Sequence, residues 1–201
     1  MFKKIALTTL CMSTILFAES GIGLNINEKD LEIEGIIDSR NLEALQTSSN
    51  IYQADVNFLY DDENAKLIGV GLVSTNKVET LQGVEASFGT KFIWAEVGNH
   101  GATNNSFTAL PLVVKIRYTV PPLPVVYNVP TMVLEGRYLY APKVLAFGDS
   151  EEYNEFRLNG EVEIIKNVNL YAGYRNIQTK YKGVTNSLFN TGFYGGLKFT
   201  Y

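Results

Sequence analysis

The sequence predicts an all-β protein, a transmembrane antiparallel up-and-down β-barrel of about ten strands. Apolar and polar residues alternate with a period of two in one segment after another, as in strands with one apolar and one polar face. Several segments run for about nine to thirteen residues, and a tilted membrane strand needs about 9–11, whereas soluble strands average about 5–6. Aromatic residues lie at the segment ends, as in the interfacial girdles of outer-membrane barrels.

The N-terminal residues predict export. Lys3 and Lys4 precede an apolar run over residues 5–17, and Ala18 supplies a small residue for cleavage. We therefore expect residues 1–18 to be a cleaved signal peptide and residues 19–201 to be the barrel domain. Cys11 falls within the expected signal peptide, so the mature chain would contain neither a disulfide nor a cysteine-ligated metal.

Composition excludes several classes of protein. Without residues 1–18 the chain has 15 basic and 21 acidic residues, a formal net charge of −6, so no basic surface for nucleic acid is expected. No later run of eighteen apolar residues predicts a membrane helix. We find no phosphate-binding loop, metal-ligand cluster or nucleophile elbow, and expect no cofactor and no metal.

In the first five predicted strands, apolar residues alternate with different residue types, or aromatic residues mark the strand ends. Residues 21–27 alternate isoleucine and leucine with glycine and asparagine, and residues 31–38 alternate apolar residues with glutamate. Residues 52–60 have tyrosine at both ends, residues 65–75 alternate apolar residues with glycine, and residues 83–96 place aromatic residues near the end. The first two strands are short and are joined by a predicted turn at residues 28–30, so eight strands remain possible.

The last five predicted strands are residues 110–120, 132–140, 152–164, 170–177 and 189–201. Each has an apolar row opposite a row that contains lysine, arginine or glutamate. Pro111 removes one ladder donor and must lie near a strand end or at a bulge.

The final segment closes the predicted barrel. Its outward row includes Phe193, Leu197, Phe199 and Tyr201. We expect it to pair with the first strand and to be recognised by the outer-membrane assembly machinery. Taken alone, the pattern also fits an edge strand of a soluble sandwich or of a lipocalin-like barrel.

The polar row of the strands predicts a charged lumen. Its members are Asp55, Glu85, Lys91, Lys115, Arg117, Glu135, Arg137, Glu155, Arg157, Glu161, Glu163, Arg175 and Lys198. Six acids and seven bases indicate a network of ion pairs rather than an ion path, because water-filled pores belong to barrels of about sixteen strands. In a soluble sandwich the same charges would face water, so alternation alone leaves that alternative open.

One apolar loop is a candidate lid or contact surface. It contains Tyr140, Pro142, Val144, Leu145 and Phe147. The alternative is that the loop extends the preceding strand and packs against its own neighbours.

The single histidine carries little catalytic signal. His100 lies in a predicted polar loop, residues 98–106, with Ser106 as the nearest serine, which leaves a small membrane lipid hydrolase as a remote alternative. We assign no catalytic residue and expect no enzyme activity.

Several motifs resemble one family of small outer-membrane proteins. The most specific is the run from Tyr138 to Phe147, Tyr-Leu-Tyr-Ala-Pro-Lys-Val-Leu-Ala-Phe, followed by Asp149 and by Tyr-Asn-Glu at residues 153–155. Asn-Phe-Leu-Tyr at residues 57–60, Gly-Val-Gly-Leu at 69–72 and Gly-Tyr-Arg-Asn-Ile at 173–177 add to it. The chain resembles the YfaZ family, which implies an outer-membrane location but no activity.

The function expected from the sequence is an outer-membrane barrel with a structural, adhesive or narrow-transport role. Outer-membrane lipids and the assembly machinery are its expected partners. A periplasmic ligand-binding barrel is the alternative from another class.

Overall fold

The chain forms a closed antiparallel β-barrel. The computed structural model describes residues 20–42, 50–62, 65–97, 105–121, 130–181 and 187–200. The expected signal peptide, His100 and Tyr201 lie outside these ranges. The ten strands of the barrel wall in this part of the chain are β1 (Gly21–Ile26), β2 (Asp30–Asp38), β3 (Ile51–Asp61), β4 (Ala65–Lys77), β5 (Val84–Val97), β7 (Leu112–Thr119), β8 (Met132–Ala141), β10 (Ser150–Ile165), β11 (Val168–Tyr181) and β12 (Ser187–Thr200).

Consecutive wall strands pair with one another all the way around. β12 pairs with β1, and β4 pairs with β5, so the sheet has no free end in the wall. The predicted antiparallel barrel of ten strands is therefore confirmed, and the alternative of eight strands is wrong. The first two segments are short, but they pair with each other and with both neighbours.

The pairing register fixes the tilt of the strands. Starting at Val84 on β5 and moving from each residue to its paired residue on the next strand, one complete circuit of the wall ends at Glu96. Glu96 lies twelve residues further along the same strand. For ten strands with spacings of about 3.3 Å and 4.8 Å, this displacement gives a tilt of about 40° and a backbone radius of about 10 Å. Side chains can fill an interior of that width.

Two short strands extend the wall. β6 (Asn105–Ala109) pairs with β5, and β9 (Ala146–Gly148) pairs with β6, beyond the point where β8 ends. Leu110 and Pro111 form the break between β6 and β7, and the Pro111 carbonyl accepts a hydrogen bond from the Lys91 amide at 3.1 Å. The sequence placed residues 98–106 and 141–151 in loops, so β9 and the start of β6 correct that expectation.

The two ends of the barrel differ. We call the end that carries Gly21 and Thr200 the terminal end and the opposite one the distal end. Close to the distal end the interior contains an apolar cluster, which we call the distal cluster: Leu59, Leu67, Ile93, Phe107, Leu139, Tyr153, Ile177 and Tyr181. The Phe107 ring lies 6.0 Å from the rings of Tyr153 and of Tyr181, measured between centroids. Most of the remaining interior is polar, with a few buried apolar residues such as Val73, Val113 and Val133.

Gly89 is one of the glycines at which two strands approach closely, here β4 and β5. A Cβ atom at Gly89 would overlap the backbone oxygen of Leu72 and come within 2.6 Å of the Val73 Cα. Gly136, by contrast, has nothing within 4 Å of the same position.

We expect Gly89→Ala to lower the free energy of unfolding by roughly 1–3 kcal/mol, because the backbone of β4 must move. The control Gly136→Ala should change it by less than about 0.5 kcal/mol. Urea unfolding in lipid vesicles measures both. Equal stability of the two variants would contradict the close approach of β4 and β5.

Candidate functional site

A buried carboxylate lies at the centre of the polar interior. Glu32 on β2 accepts hydrogen bonds from Nη1 and Nη2 of Arg157 at 2.8 and 2.9 Å, and from Nη1 of Arg175 at 2.6 Å. Asn25 and Asn57 donate to the same carboxylate from their Nδ2 atoms at 2.9 and 2.7 Å. A carboxylate with five donors is fully satisfied, which is the condition for burying charge at low cost.

Both arginines have further partners on neighbouring strands. Arg157 Nε donates to Glu155, whose other oxygen accepts a hydrogen bond from Tyr153 Oη at 2.5 Å. Arg175 forms an ion pair with Asp30 at 2.8 Å, and its Nε donates to Asn190 Oδ1 at 3.0 Å. Glu32, Arg157 and Arg175 therefore link the walls of the barrel, and we call them the central triad.

A second set of charges surrounds a small cavity on the terminal side of the central triad. Arg137 Nη1 lies 3.2 Å from Glu34 Oε1, and Lys198 Nζ lies 3.1 Å from Glu161 Oε1. Two further ion pairs belong to the set, Lys91 with Asp55 and Lys115 with Glu135. Lys115 also donates a hydrogen bond to the side-chain oxygen of Gln53. The cavity measures about 40 Å³, enough for a few water molecules.

The terminal end carries its own charged group. Arg40 lies in a short 3-10 helix, Ser39–Asn41, and pairs with Asp38 at 2.7 Å and with Glu85 at 3.1 Å. Burial lowers the pKa of the Arg40 guanidinium, and Glu85 opposes that shift. Arg117 on β7 lies opposite Glu85 in the register.

Glu163 lies apart from the interior network. It is near the tight turn between β10 and β11, where its carboxylate accepts a hydrogen bond from the Asn167 amide at 3.4 Å. Asn167 has a positive φ of 69°, which asparagine tolerates in such turns.

The candidate contact loop forms part of the wall rather than a free segment. Lys143–Leu145 is a 3-10 helix, and the Leu145 carbonyl accepts a hydrogen bond from the Leu110 amide at 2.8 Å. Leu145 packs partly against the distal cluster, and Pro142 is half-buried. The outward-facing members are Tyr140, Val144 and Phe147, and Val144 is 77% exposed.

The C-terminal strand presents its apolar row outward. Phe193 is 80% exposed, and Leu197 and Phe199 are also exposed. Tyr201, the fourth predicted member of that row, lies outside the described residues.

Sequence reasoning missed much of the acidic half of the network. Glu32 and Glu34 alternate with Leu31 and Ile33 in a predicted strand, so the period of two already placed them on its polar face. Asp30 was assigned to a turn, yet it begins β2 and is buried. The buried amides Asn25, Asn57 and Asn190 carry no charge and gave no signal beyond their position in the alternation.

The described residues contain no group of three or more histidine, cysteine, aspartate or glutamate side chains that could hold a metal ion. No helix in the described part of the chain is long and apolar enough to cross a bilayer.

The chain matches a known protein family over nearly its whole length. The family model described as YfaZ precursor matches residues 3–201, nearly the whole chain. The chain belongs to the YfaZ family. The resemblance seen in the sequence motifs is thereby confirmed, and the match extends over all ten wall strands of this YfaZ protein. No protein with a curated description matches the chain.

We expect Glu32→Ala to lower the free energy of unfolding by about 3–5 kcal/mol, because it leaves two buried guanidinium groups facing each other. The control Glu161→Ala removes the partner of Lys198. The Lys198 side chain is less buried than those of Arg157 and Arg175, because 13% of its surface is exposed against 1% of theirs. Glu161→Ala should lower the free energy of unfolding by less, about 1 kcal/mol. Urea unfolding measures both variants, and similar losses would contradict a central role for Glu32.

Proposed function

We propose that this YfaZ protein is exported and resides in the outer membrane as a sealed barrel with a structural or adhesive role. The observation that carries the proposal is the inside-out distribution of residues. Exposed apolar side chains lie on the outside of every wall strand, while charged side chains, including Glu32, Lys91 and Arg157, are buried inside. In water this arrangement would expose a continuous apolar surface, whereas in a bilayer the same surface meets hydrocarbon.

The apolar belt has the height of a membrane core. On β3 the outward row runs from Tyr52 to Tyr60, which at about 3.3 Å per residue and about 40° of tilt covers about 20 Å, near the ~25 Å of outer-membrane barrels. The charged residues on the outward rows of the described strands all lie near the distal end: Lys66, Glu96, Glu152 and Lys180.

The packed interior favours a sealed barrel over a transport path. Ion pairs link opposite parts of the wall, the distal cluster packs without charge, and the cavity among the ion pairs on the terminal side measures only about 40 Å³. A periplasmic ligand-binding barrel would need a cavity of about 300–1,000 Å³ in that position. The lipid hydrolase alternative depends on His100, which lies outside the described residues.

Surface labelling tests the location and the orientation. The terminal end is expected in the periplasm and the distal end outside the cell, so Val144→Cys should react with a membrane-impermeant maleimide on intact cells. Lys166→Cys, in the turn at the terminal end, should react only after the outer membrane is permeabilised. The opposite labelling pattern would overturn the topology, and release of the protein by carbonate without detergent would overturn the membrane location.

Planar-bilayer recording tests the seal. We expect the purified wild-type protein to insert without discrete conductance steps, because the ion pairs and the distal cluster fill the lumen. A porin of about sixteen strands added to the same membrane serves as the positive control. Reproducible steps from the wild-type protein would contradict a sealed barrel and favour the narrow-transport role.

A further inference from the structure

The barrel wall has a gap on one side of β12. β1 ends at Ile26, where it pairs with Gly195, and the chain turns back at residues 27–29. β12 continues to Ser187 at the distal end, paired with β11. Within the described residues, no strand pairs with the other edge of β12 over residues 187–194. We call this gap, between the β1–β2 turn and β12, the lateral notch.

The pairing register places the lateral notch about halfway up the barrel. In the circuit that starts at Val84, Gly195 is the fifth residue reached and Ile26 is the sixth. At a tilt of about 40°, each pairing rises by about 3 Å along the barrel axis, and each residue along a strand by about 2.5 Å. Ile26 therefore lies about 18 Å above Val84, whereas Glu96, at the end of the circuit, lies about 30 Å above it.

The free edge of β12 cannot lie in hydrocarbon. Inside a bilayer every backbone amide and carbonyl needs a hydrogen-bond partner, so exposed strand edges do not occur there. The outward apolar row of β3 nevertheless reaches Tyr60, which is eight pairings along the circuit and about 24 Å above Val84. The lower part of the lateral notch is below that height, so polar groups must reach deeper at the notch than at β3.

The outward rows beside the lateral notch become polar at the same height. On β11 the outward residues beyond Tyr174 are Asn176 and Gln178, and on β12 Thr191 follows Phe193 towards the distal end. Asn176 Nδ2 donates a hydrogen bond to Thr191 Oγ1 at 3.4 Å on the outer surface. An amide and a hydroxyl at these positions suit the head-group region better than hydrocarbon.

The turn at the lateral notch is charged. Glu28 and Lys29 are exposed, and because the turn directly follows Ile26, they lie only about 20–25 Å above Val84. Both residues and Thr191 contribute to the lining of a cavity of about 590 Å³. The cavity has room for water and for polar head groups.

The opposite side of the barrel is apolar to a greater height. Phe147 on β9 pairs with Thr108, which pairs with Trp94 on β5. Trp94 is ten residues beyond Val84, so two further pairings place Phe147 about 31 Å above Val84. Phe147 is 52% exposed. On the four strands at the notch the outward apolar rows end about 10 Å lower, at Tyr174, Phe193, Ile26 and Leu31.

A tilt of the whole barrel does not explain this difference. Tilting would lower the terminal boundary of the apolar belt on the notch side as well. There the lowest exposed apolar residues, Phe199 and Ile37, lie about 5–6 Å above Val84, whereas Met132 on β8 lies at about 1 Å. The apolar belt is therefore about 15 Å high at the notch and about 30 Å high along β8 and β9.

We propose that the face formed by β11, β12, β1 and β2 thins the bilayer, so that head groups of the outer leaflet descend to the lateral notch. A wall with a short apolar height draws the bilayer surface towards it. The head groups and their water then hydrogen-bond to the free edge of β12 and surround Glu28 and Lys29. The inference rests on the proposed outer-membrane placement, and it requires no particular head-group charge.

Quenching of tryptophan fluorescence by brominated phosphatidylcholines in lipid vesicles tests the proposal. Trp94 is the only tryptophan, so Trp94→Phe provides a background for Phe193→Trp and for its matched control, Tyr140→Trp. Phe193 and Tyr140 are exposed aromatic residues at nearly the same height, about 20–21 Å above Val84. Bromine near the head group should quench Phe193→Trp best, and bromine near the chain end should quench Tyr140→Trp best, a difference in depth of about 10 Å.

Equal depths for these two variants, with both barrels intact by heat-modified electrophoretic mobility, would overturn the thinning. Phe199→Trp in the same background separates thinning from tilt. Thinning places its tryptophan near the inner head groups, whereas a tilted barrel would place it about 10 Å deep and would also overturn the proposal. Absence of quenching in all three variants would contradict the membrane location itself, which is a different result from equal depths.

Discussion

The pairing of Glu32 with Arg157 and Arg175 is the interaction on which the barrel depends. An outer face of leucine, isoleucine and phenylalanine leaves the polar half of each strand facing inward, and ten strands at this tilt enclose that half within about 10 Å of the axis. Charges in such a space must neutralise one another, because bulk water does not reach them. The central triad does so by joining β2 to β10 and β11 across the lumen.

The other interior contacts follow from the same constraint. Arg137 reaches from β8 to Glu34 on the opposite side of the wall, and Lys91 bridges from β5 to Asp55 on β3. Where the strands approach the distal end, the polar row gives way to the distal cluster, in which Tyr153 has an apolar contact to Phe107 and a hydrogen bond to Glu155. Tyr153 therefore joins the apolar part of the interior to the ionic part.

The wall strands were predictable from sequence, and the pairing of their charges was not. A period of two reveals which face a residue occupies, so Arg157 and Arg175 were placed inward from sequence alone. It does not reveal how far along the barrel axis a residue lies, because that position depends on the register shift of twelve residues around the barrel. The contact between Glu32 and Arg157, which are 125 residues apart in sequence, could therefore not be predicted. β9 has three residues and no alternation, and its pairing with β6 arises only once β8 has ended. Asp30 was predicted to be a turn residue because it directly follows the turn at residues 27–29.

The turn between β1 and β2 links the local sequence to the height of the wall. Asn27 Oδ1 accepts hydrogen bonds from the amides of Lys29 and Asp30 at 2.7 and 2.8 Å, and its Nδ2 donates to Asp30 Oδ2 at 2.7 Å. A side chain that mimics a backbone turn in this way stops a strand, so β1 ends at Ile26 while β12 continues. The same Asp30 then holds Asn190 and Arg175 inside the barrel. The Asn27 side chain therefore both closes the turn after β1 and holds the Asp30 carboxylate that pairs with Asn190 and Arg175.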